Sequence, residues 1–418
     1  MKTYKGLFEK LIDKKGIKQD ILKASLGKRQ KEHIIRRTGS LYAIDIKTET
    51  TPELEKTIET IYNMYVNNFD LKVKKNYEIN DGVRLKKRNI RKPTFVPEQV
   101  MTHGIVRVME DIMTRGMYEF VCGSVPGRGT HYGKRFIENW INHDPENVKY
   151  VAKADIKRFF ESVSRRRTKK LLKKYIKDKR FLEIVFKFLN VFIEGLALGY
   201  YISQWFANFI LQDMDYYIKQ KSLLDVKTKK EINYKNRMAR KGITDYKVPK
   251  YRCGATYYIR YMDDMVMFGN NKKELHLIIK RIEAYLKNEL GLRIKGDWQV
   301  FRFDYIDRDS KRKGRPLDFM GFVFYRDKTI LRKTILIRAT RKASRMHKKG
   351  NINCHDASSM LSYMGYIKHT HTYHIYLERI KPCINIKYLK KVVSKHQRKV
   401  NKNVRMAKGN LYASTSLA

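Results

Sequence analysis

The sequence predicts a mixed α/β (α+β) fold, and three observations carry that prediction. Two β-prone apolar runs, Val148–Asp155 and Tyr257–Phe268, carry acids at their ends or turns. Between and after them lie stretches with a helical apolar period. Hydrophobic residues make up 42% of the chain and aromatics 12%, enough for a packed core. At 418 residues there is room for two or three packed units.

The elements follow in order. Residues 1–85 form a mixed, Lys-rich N-terminal extension with a helix over Pro52–Val66, where Leu54, Ile58, Ile61, Met64 and Tyr65 share a face. Lys86–Pro93 is a basic extended run, and a helical pattern follows through Met101, Ile105, Val108, Met109 and Ile112. Cys122–Thr130 is a Gly-rich loop, a weak signal alone because turns use Gly and Pro for conformational reasons. A basic helix begins near His131. Val148–Asp155 reads as a buried strand ending in an acid. Ser203–Lys219 reads as a helix with Ala207, Ile210, Leu211, Met214 and Ile218 on one face. Lys219–Lys250 is crowded with Lys and Arg and poor in apolar periodicity, and is expected to be an inserted basic loop. Tyr257–Tyr261 and Met265–Phe268 form a hairpin with Asp263 and Asp264 at its tip. Lys272–Leu290 keeps a 3.6-residue period and Gly291 supplies its stop. Leu317–Tyr325 and Thr329–Ile337 are expected to pair as strands around Gly321.

Charge narrows the function. Net charge is +49, from 91 Lys and Arg against 42 Asp and Glu. Such an excess repels itself unless a polyanion covers it, and nucleic acid is the expected one. No run of about 20 apolar residues and no signal peptide is visible, so no membrane partner and a cytoplasmic location are expected. From Lys328 onward there are 21 Lys and Arg but only two acids, Asp356 and Glu378, interleaved with tyrosines. That pattern suits a helical unit tracking a phosphate backbone. Four scattered cysteines without a CxxC pair fit a reducing compartment. His369, His371 and His374 have the spacing of an HxHxxH metal motif, but nucleic-acid- or solvent-facing histidines are the expectation.

Adjacent carboxylates inside an apolar hairpin are costly and call for a cation. Hard divalent ions with oxygen ligands meet that need, Mg²⁺ taking one or two carboxylates plus substrate phosphates. A two-metal site needs a second acid-bearing strand, and Asp155 supplies it, 108 residues before Asp263. Phosphoryl transfer from a nucleoside triphosphate uses such a pair for in-line geometry and charge neutralisation.

These motifs together resemble the reverse transcriptases. Tyr261-Met262-Asp263-Asp264 is similar to their Tyr-x-Asp-Asp hairpin, and Arg88-Asn89-Ile90 with Pro93 to their basic fingers motif. Gly127-Arg128-Gly129-Thr130-His131, Gly199-Tyr200-Tyr201-Ile202-Ser203-Gln204 and Phe319-Met320-Gly321-Phe322 resemble the Gly-rich segment, the GxxxSQ loop and the primer grip. The resemblance spans roughly residues 84–380. It implies a right-hand polymerase: fingers and palm over 86–325, with an antiparallel palm sheet carrying helices on one face, and a basic helical thumb over 326–418. It implies Asp155, Asp263 and Asp264 as catalytic and, with Ile156, as holding two Mg²⁺ ions, with Mn²⁺ as a substitute. It further implies nucleotide contacts from Arg88, Phe159, Phe160, Gln204 and Lys295, Phe160 excluding the ribose 2′-hydroxyl and so favouring dNTPs. Template and primer contacts fall to Gly127, Arg128, Tyr261, Met262, Gly321, Lys391 and Lys395. Partners would be a structured template RNA, nascent cDNA and a small basic accessory protein. Leu198–Gln204 most resembles the branch from bacterial and phage diversity-generating retroelements. An antiphage reverse transcriptase with its own non-coding RNA and an intron maturase-like RNA-binding protein stay open beside it.

Overall fold

The computed structural model describes residues 3–398 except 30, 42–43, 47, 72–76, 82–85, 192–193, 248–254 and 397. Its centre is a five-stranded sheet in the order Val121–Cys122, Tyr257–Tyr261, Asp264–Gly269, Tyr150–Asp155, Gln299–Arg302. All neighbours are antiparallel except the first pair. Side chains alternate across a strand, so the two faces enter two cores. Ala152, Ala154, Tyr258, Met265 and Met267 face the larger one, with Phe206, Ile278, Ile279 and Ile282. Val151, Ile259, Val266 and Phe268 face the other, with Ile137, Trp140 and Ile141 of the helix Thr130–His143. The main helical layer therefore lies on one face, while this single helix and the C-terminal unit cover part of the other. Burial on both faces explains the nearly unbroken apolar run in Asp264–Gly269.

The N-terminal extension is not a separate lobe. Its helices Leu7–Ile12, Lys14–Ser25, Glu32–Thr38 and Pro52–Val66 share the larger core with the helix Val100–Arg115. Buried Asp20 fixes that docking through a two-pronged ion pair to Arg107, 2.9 and 3.0 Å. Thr51 caps Pro52–Val66, its hydroxyl accepting from Leu54 N–H, with Pro at the first turn. Asn271 caps Lys272–Tyr285, and a wider π-type turn, Leu286–Leu290, runs to left-handed Gly291.

Three expectations need correction. Most of the Lys219–Lys250 segment is not a loop: after a π-type turn at Tyr217–Ser222 it forms the helix Leu223–Arg240, residues 241–247 are irregular, and 248–250 lie outside the described residues. Its Lys, Glu, Arg and Leu residues favour helix intrinsically, and over 231–240 the side chains are half-buried or exposed, so a missing apolar stripe there does not mean a missing helix. The second C-terminal strand is only Thr329–Leu331, and the helix Lys333–Lys349 takes up the rest. There the period of buried Ala339, Ala343 and Met346 outweighs the β-branched Thr334, Ile335 and Ile337. The helix expected over Ser203–Lys219 divides at Leu211 into Tyr201–Ile210 and Gln212–Tyr216.

The C-terminal unit continues from a three-stranded sheet, Leu317–Phe319, Phe322–Phe324 and Thr329–Leu331. The helices Lys333–Lys349 and Cys354–Ile367 and a helix over 386–396 follow. Among the described residues no helix is long and apolar enough to cross a membrane.

Candidate active site

Register builds the site. The strands Tyr150–Asp155 and Asp264–Gly269 pair so that Asp155 stands directly opposite Asp264. Directly opposed residues of an antiparallel pair lie about 4.5–5.5 Å apart, so two acids 109 positions apart in the chain become neighbours. Tyr261 and Asp264 close the hairpin, leaving Met262 and Asp263 as its two-residue turn. Burial is the first cause raising the Asp264 carboxyl above its ordinary range, and the charge of Asp155 is the second. Lys153, Arg332 and Lys295 pull the other way. Such crowding is what an oxygen-bound divalent cation relieves. Among the described residues no three His, Cys, Asp or Glu side chains converge as a complete metal site. The two opposed carboxylates are hard oxygen donors, the kind that Mg²⁺ takes alongside substrate phosphates.

Met262 takes a left-handed conformation, φ 57°, that costs an ordinary residue about 1–2 kcal/mol. Its N–H donates to the Cys122 carbonyl (3.2 Å), and its own carbonyl accepts from Arg260 Nη1 (2.7 Å). Arg260 is fully buried. Its fork grips Asp215 at 2.8 and 2.6 Å, and Nη1 also reaches Asn208 Oδ1 at 3.0 Å. Tyr258 donates to the same Asp215 (2.7 Å), and Asn208 donates to the Gly123 carbonyl (2.9 Å). A satisfied buried network thus underlies the acid-bearing turn. Sequence reasoning missed Arg260 and Asp215, although a charge amid Tyr257–Tyr261 was a signal that a buried counter-ion had to exist.

The remaining expected residues divide into those joined to this centre and those apart from it. Ile156 is buried and bridges Ile294, and the Asp155 carbonyl accepts from Lys295 N–H at 2.8 Å. Lys295 therefore sits beside the acids. Its Nζ binds Asp297 (2.5 Å), the main reason its pKa is raised, with Asp155 and Asp264 adding to it. Phe159 is core, while Phe160 is half-buried, edge-on to it. The Phe160 carbonyl accepts from Leu196 N–H (2.6 Å), and a Cβ on Gly195 would come within 2.1 Å of it. Gln204 is exposed and accepts from Ser124 Oγ at 3.0 Å. Gly127 lies in the same Gly-rich turn at φ 74°, and Arg128 spends one guanidinium nitrogen on the Tyr118 and Glu119 carbonyls.

Gly321 and Met320 both have positive φ, forming the tight turn between Leu317–Phe319 and Phe322–Phe324. Lys153, next to Asp155's neighbour Ala154, donates to the Asp318 carbonyl (2.8 Å), and Arg332 pairs with the Asp318 carboxylate (2.5 Å). These bonds tie the Gly321 turn to the carboxylate strand. Tyr261 and Tyr366 of the helix Cys354–Ile367 pack against the same core, and the Tyr261 pKa is raised by burial first and then by Tyr366. Arg88 lies on the strand Lys86–Ile90, but its side chain is outside the described residues. Lys391 and Lys395 are exposed on the helix 386–396, and no described contact joins them to the acids. The three histidines do not act as a set: His369 packs edge-on to His131, while His371 meets the Thr329 backbone.

Several known proteins are similar to parts of this chain. Protein YkfC of Escherichia coli (strain K12) is 23% identical over 222 residues, covering 49% of this chain and 58% of that protein. The chain thus spans little more than half of that relative's length. Among solved structures, a telomerase from Candida albicans in complex with a fragment of telomeric RNA aligns at TM-score 0.39 and 10% identity. That alignment covers 86% of this chain and 64% of that one. An apo telomerase from Candida tropicalis aligns at 0.33 and 11%, covering 69% and 44%. The family model for reverse transcriptase (RNA-dependent DNA polymerase) matches residues 90–324, more than half of the chain and including both acid-bearing strands. This chain belongs to the reverse transcriptase family.

Proposed function

We propose that this protein is an RNA-directed DNA polymerase that makes cDNA from a structured RNA template. The observation that carries the reading is the register placing Asp155 opposite Asp264 beside the Met262–Asp263 turn. In this reading residues 86–325 are fingers and palm and 326–418 a basic thumb. Asp155, Asp263, Asp264 and the Ile156 carbonyl would hold two Mg²⁺ ions. When bound, these supply activation of a primer 3′-hydroxyl and neutralisation of the triphosphate and leaving pyrophosphate. In the same reading Lys295 would meet phosphate and Phe160 would crowd a ribose 2′-hydroxyl; the backbone bond from Leu196 N–H to the Phe160 carbonyl supports a fixed place for Phe160.

The test is primer extension on RNA by Asp263→Asn. Losing a metal ligand removes several kcal/mol of transition-state stabilisation, so synthesis should fall below ~1% of wild type while RNA binding stays within a few fold. Residual synthesis above that level would overturn the assignment.

Within the family, the Leu198–Gln204 pattern supports the diversity-generating retroelement branch, with error-prone copying of a template repeat. Sequencing the cDNA tests this: substitutions should concentrate at template adenines, and a uniform error spectrum would favour the antiphage or maturase-like assignments instead.

A further inference from the structure

The helix Leu223–Arg240 grows from a fixed root. In the turn before it Ile218 is fully buried, and the Tyr217 ring stacks on Tyr285 of the helix Lys272–Tyr285 at 4.5 Å and 22°. The Lys219 ammonium lies over the Tyr118 ring (5.9 Å), which itself stacks on Tyr258 (5.5 Å). Beyond that root the chain emerges into solvent: over 231–247 no side chain is buried. We infer that this helix is an arm that holds a base-paired stem of RNA by its phosphates, apart from the site of synthesis. The inference rests on the polymerase reading above and adds to it a second RNA site, one that tethers the template-bearing RNA.

Charge selects the class of partner. Lys219–Lys250 carries 11 Lys and Arg against three acids, Asp225, Glu231 and Asp245. Lys235, Arg237, Arg240, Lys241 and Lys247 are exposed, and none of the five takes part in an ion pair among the described residues. Such an excess calls for a polyanion. Tyr234, Arg237 and Lys241, spaced three and four apart, share one side of the arm. Ile232 lies on the opposite side and Ile243 beyond the helix end, so these cations surround no apolar centre of the kind a protein interface buries. The rings decide between paired and unpaired RNA. Unpaired bases are held by stacking on free aromatic faces. Here the Arg237 guanidinium covers the Tyr234 ring (5.1 Å), and Tyr246 packs edge-on against the same ring (5.8 Å, 63°). Both rings thus order Arg237 and the returning loop, and charge is what the arm presents. A paired stem, recognised by shape and phosphate contacts, matches that.

Position separates the arm from the acids. Strand residues alternate between faces, so Asp264 shares the face of Val266 and Phe268, and Asp155 that of Val151, on the side of the core that the C-terminal unit completes. The root stands in the layer on the other face, where Ile218 and Tyr258 enter the larger core. Tyr258 is also three residues, about 10 Å, along its strand from Tyr261 at the hairpin end. From that root the 18-residue helix spans about 27 Å. A stem held there raises the local concentration of the template joined to it without any new contact at the acids.

The experiment uses the full chain, a DNA primer on a short unstructured RNA template, and a labelled RNA hairpin of about 16 base pairs. With primer–template saturating, wild-type protein should still bind the hairpin. A variant combining Lys235→Gln, Arg237→Gln, Arg240→Gln and Lys241→Gln keeps good helix formers at all four positions. It should bind the hairpin at least about tenfold more weakly near 100 mM salt, with the salt slope reduced by about 3. Its extension of the short template should be unchanged, whereas extension of a template joined to the hairpin should slow at limiting RNA. Hydrogen exchange in the wild-type protein gives a reading free of mutation: the hairpin should protect 223–247 while primer–template is bound. Hairpin affinity within twofold of wild type in the variant, unchanged extension of the joined template, or no protection of 223–247 would each overturn the inference. So would full displacement of the hairpin by primer–template, or equally tight binding of an unpaired RNA of the same length. Polyglutamate binding that the variant loses while hairpin binding stays intact would make the arm a protein-docking element and overturn it too. Extension by wild type is read separately: its absence on the short template with Mg²⁺ and dNTPs sinks the polymerase reading, whereas its presence with an indifferent arm sinks only this second site.

Discussion

Arg260 shows how much one side chain decides here. It stands in the middle of a strand, fully buried, and satisfies Asp215, Asn208 and the Met262 carbonyl at once. Removing one partner of a buried pair leaves an uncompensated charge, a loss of about 3–5 kcal/mol. Arg260→Met should therefore lower urea stability by that amount, and any protein that folds should lose kcat more than KM, because the Met262 turn is no longer held. Arg260→Lys keeps the charge but not the fork, so a rescue by Lys would show that charge alone suffices. His103 carries the pH prediction. Its folded pKa of about 4 lies below its ordinary 6.5. The unfolded chain takes up the proton first as pH falls, so stability is intact above 6.5 and declines down to about 4. The loss is at most about 3 kcal/mol. Tm against pH should show this decline, and His103→Gln should flatten it.

At the scale of elements, the junction between the end of the strand Lys86–Ile90 and the Gly199 loop is a tight fit. Arg91 N–H donates to the Leu198 carbonyl (2.9 Å), and buried Arg91 also reaches the Val191 carbonyl. Gly199 adopts φ 103°, and a Cβ there would lie 2.1 Å from the Arg91 carbonyl. Gly199→Ala must therefore separate the two segments, costing about 1–2 kcal/mol for backbone strain alone and more for the collision. Hydrogen exchange should speed up at Arg91 amide in this variant, with the central sheet unchanged; unaltered exchange would show that the loop accommodates the methyl group. The helix Leu223–Arg240 makes the opposite point. Over 231–240 no side chain is fully buried, and there intrinsic propensity favours the helix.

At the scale of the molecule, charge dominates. The segment from Lys328 onward carries +19, from 21 basic and two acidic residues with His neutral. On the helix Lys333–Lys349, Arg338, Arg341, Arg345 and Lys348 are all exposed at spacings that keep them on one side. RNA affinity should then fall by orders of magnitude between about 50 and 200 mM salt, with a slope of roughly −0.7 to −0.9 per neutralised phosphate. Replacing Lys391, Lys395 and Arg398 together should flatten that slope and weaken all RNAs about equally, since phosphate contacts do not read sequence. Salt-insensitive binding would mean that this charge serves a different partner.

The sequence by itself determined the mixed fold, the acid-bearing strands, the Pro52–Val66 and Lys272 helices and the three central carboxylates. Local period, capping residues and adjacent charges carry that information without reference to distant parts of the chain. Only the tertiary structure decided that Asp155 faces Asp264, because register between strands 109 positions apart depends on how both sheet faces are buried. The same holds for the partners of Arg260 and for a cavity lined by Lys28 and Tyr201. Each joins residues far apart in sequence, and no local pattern encodes which buried charge meets which, or where packing leaves a gap.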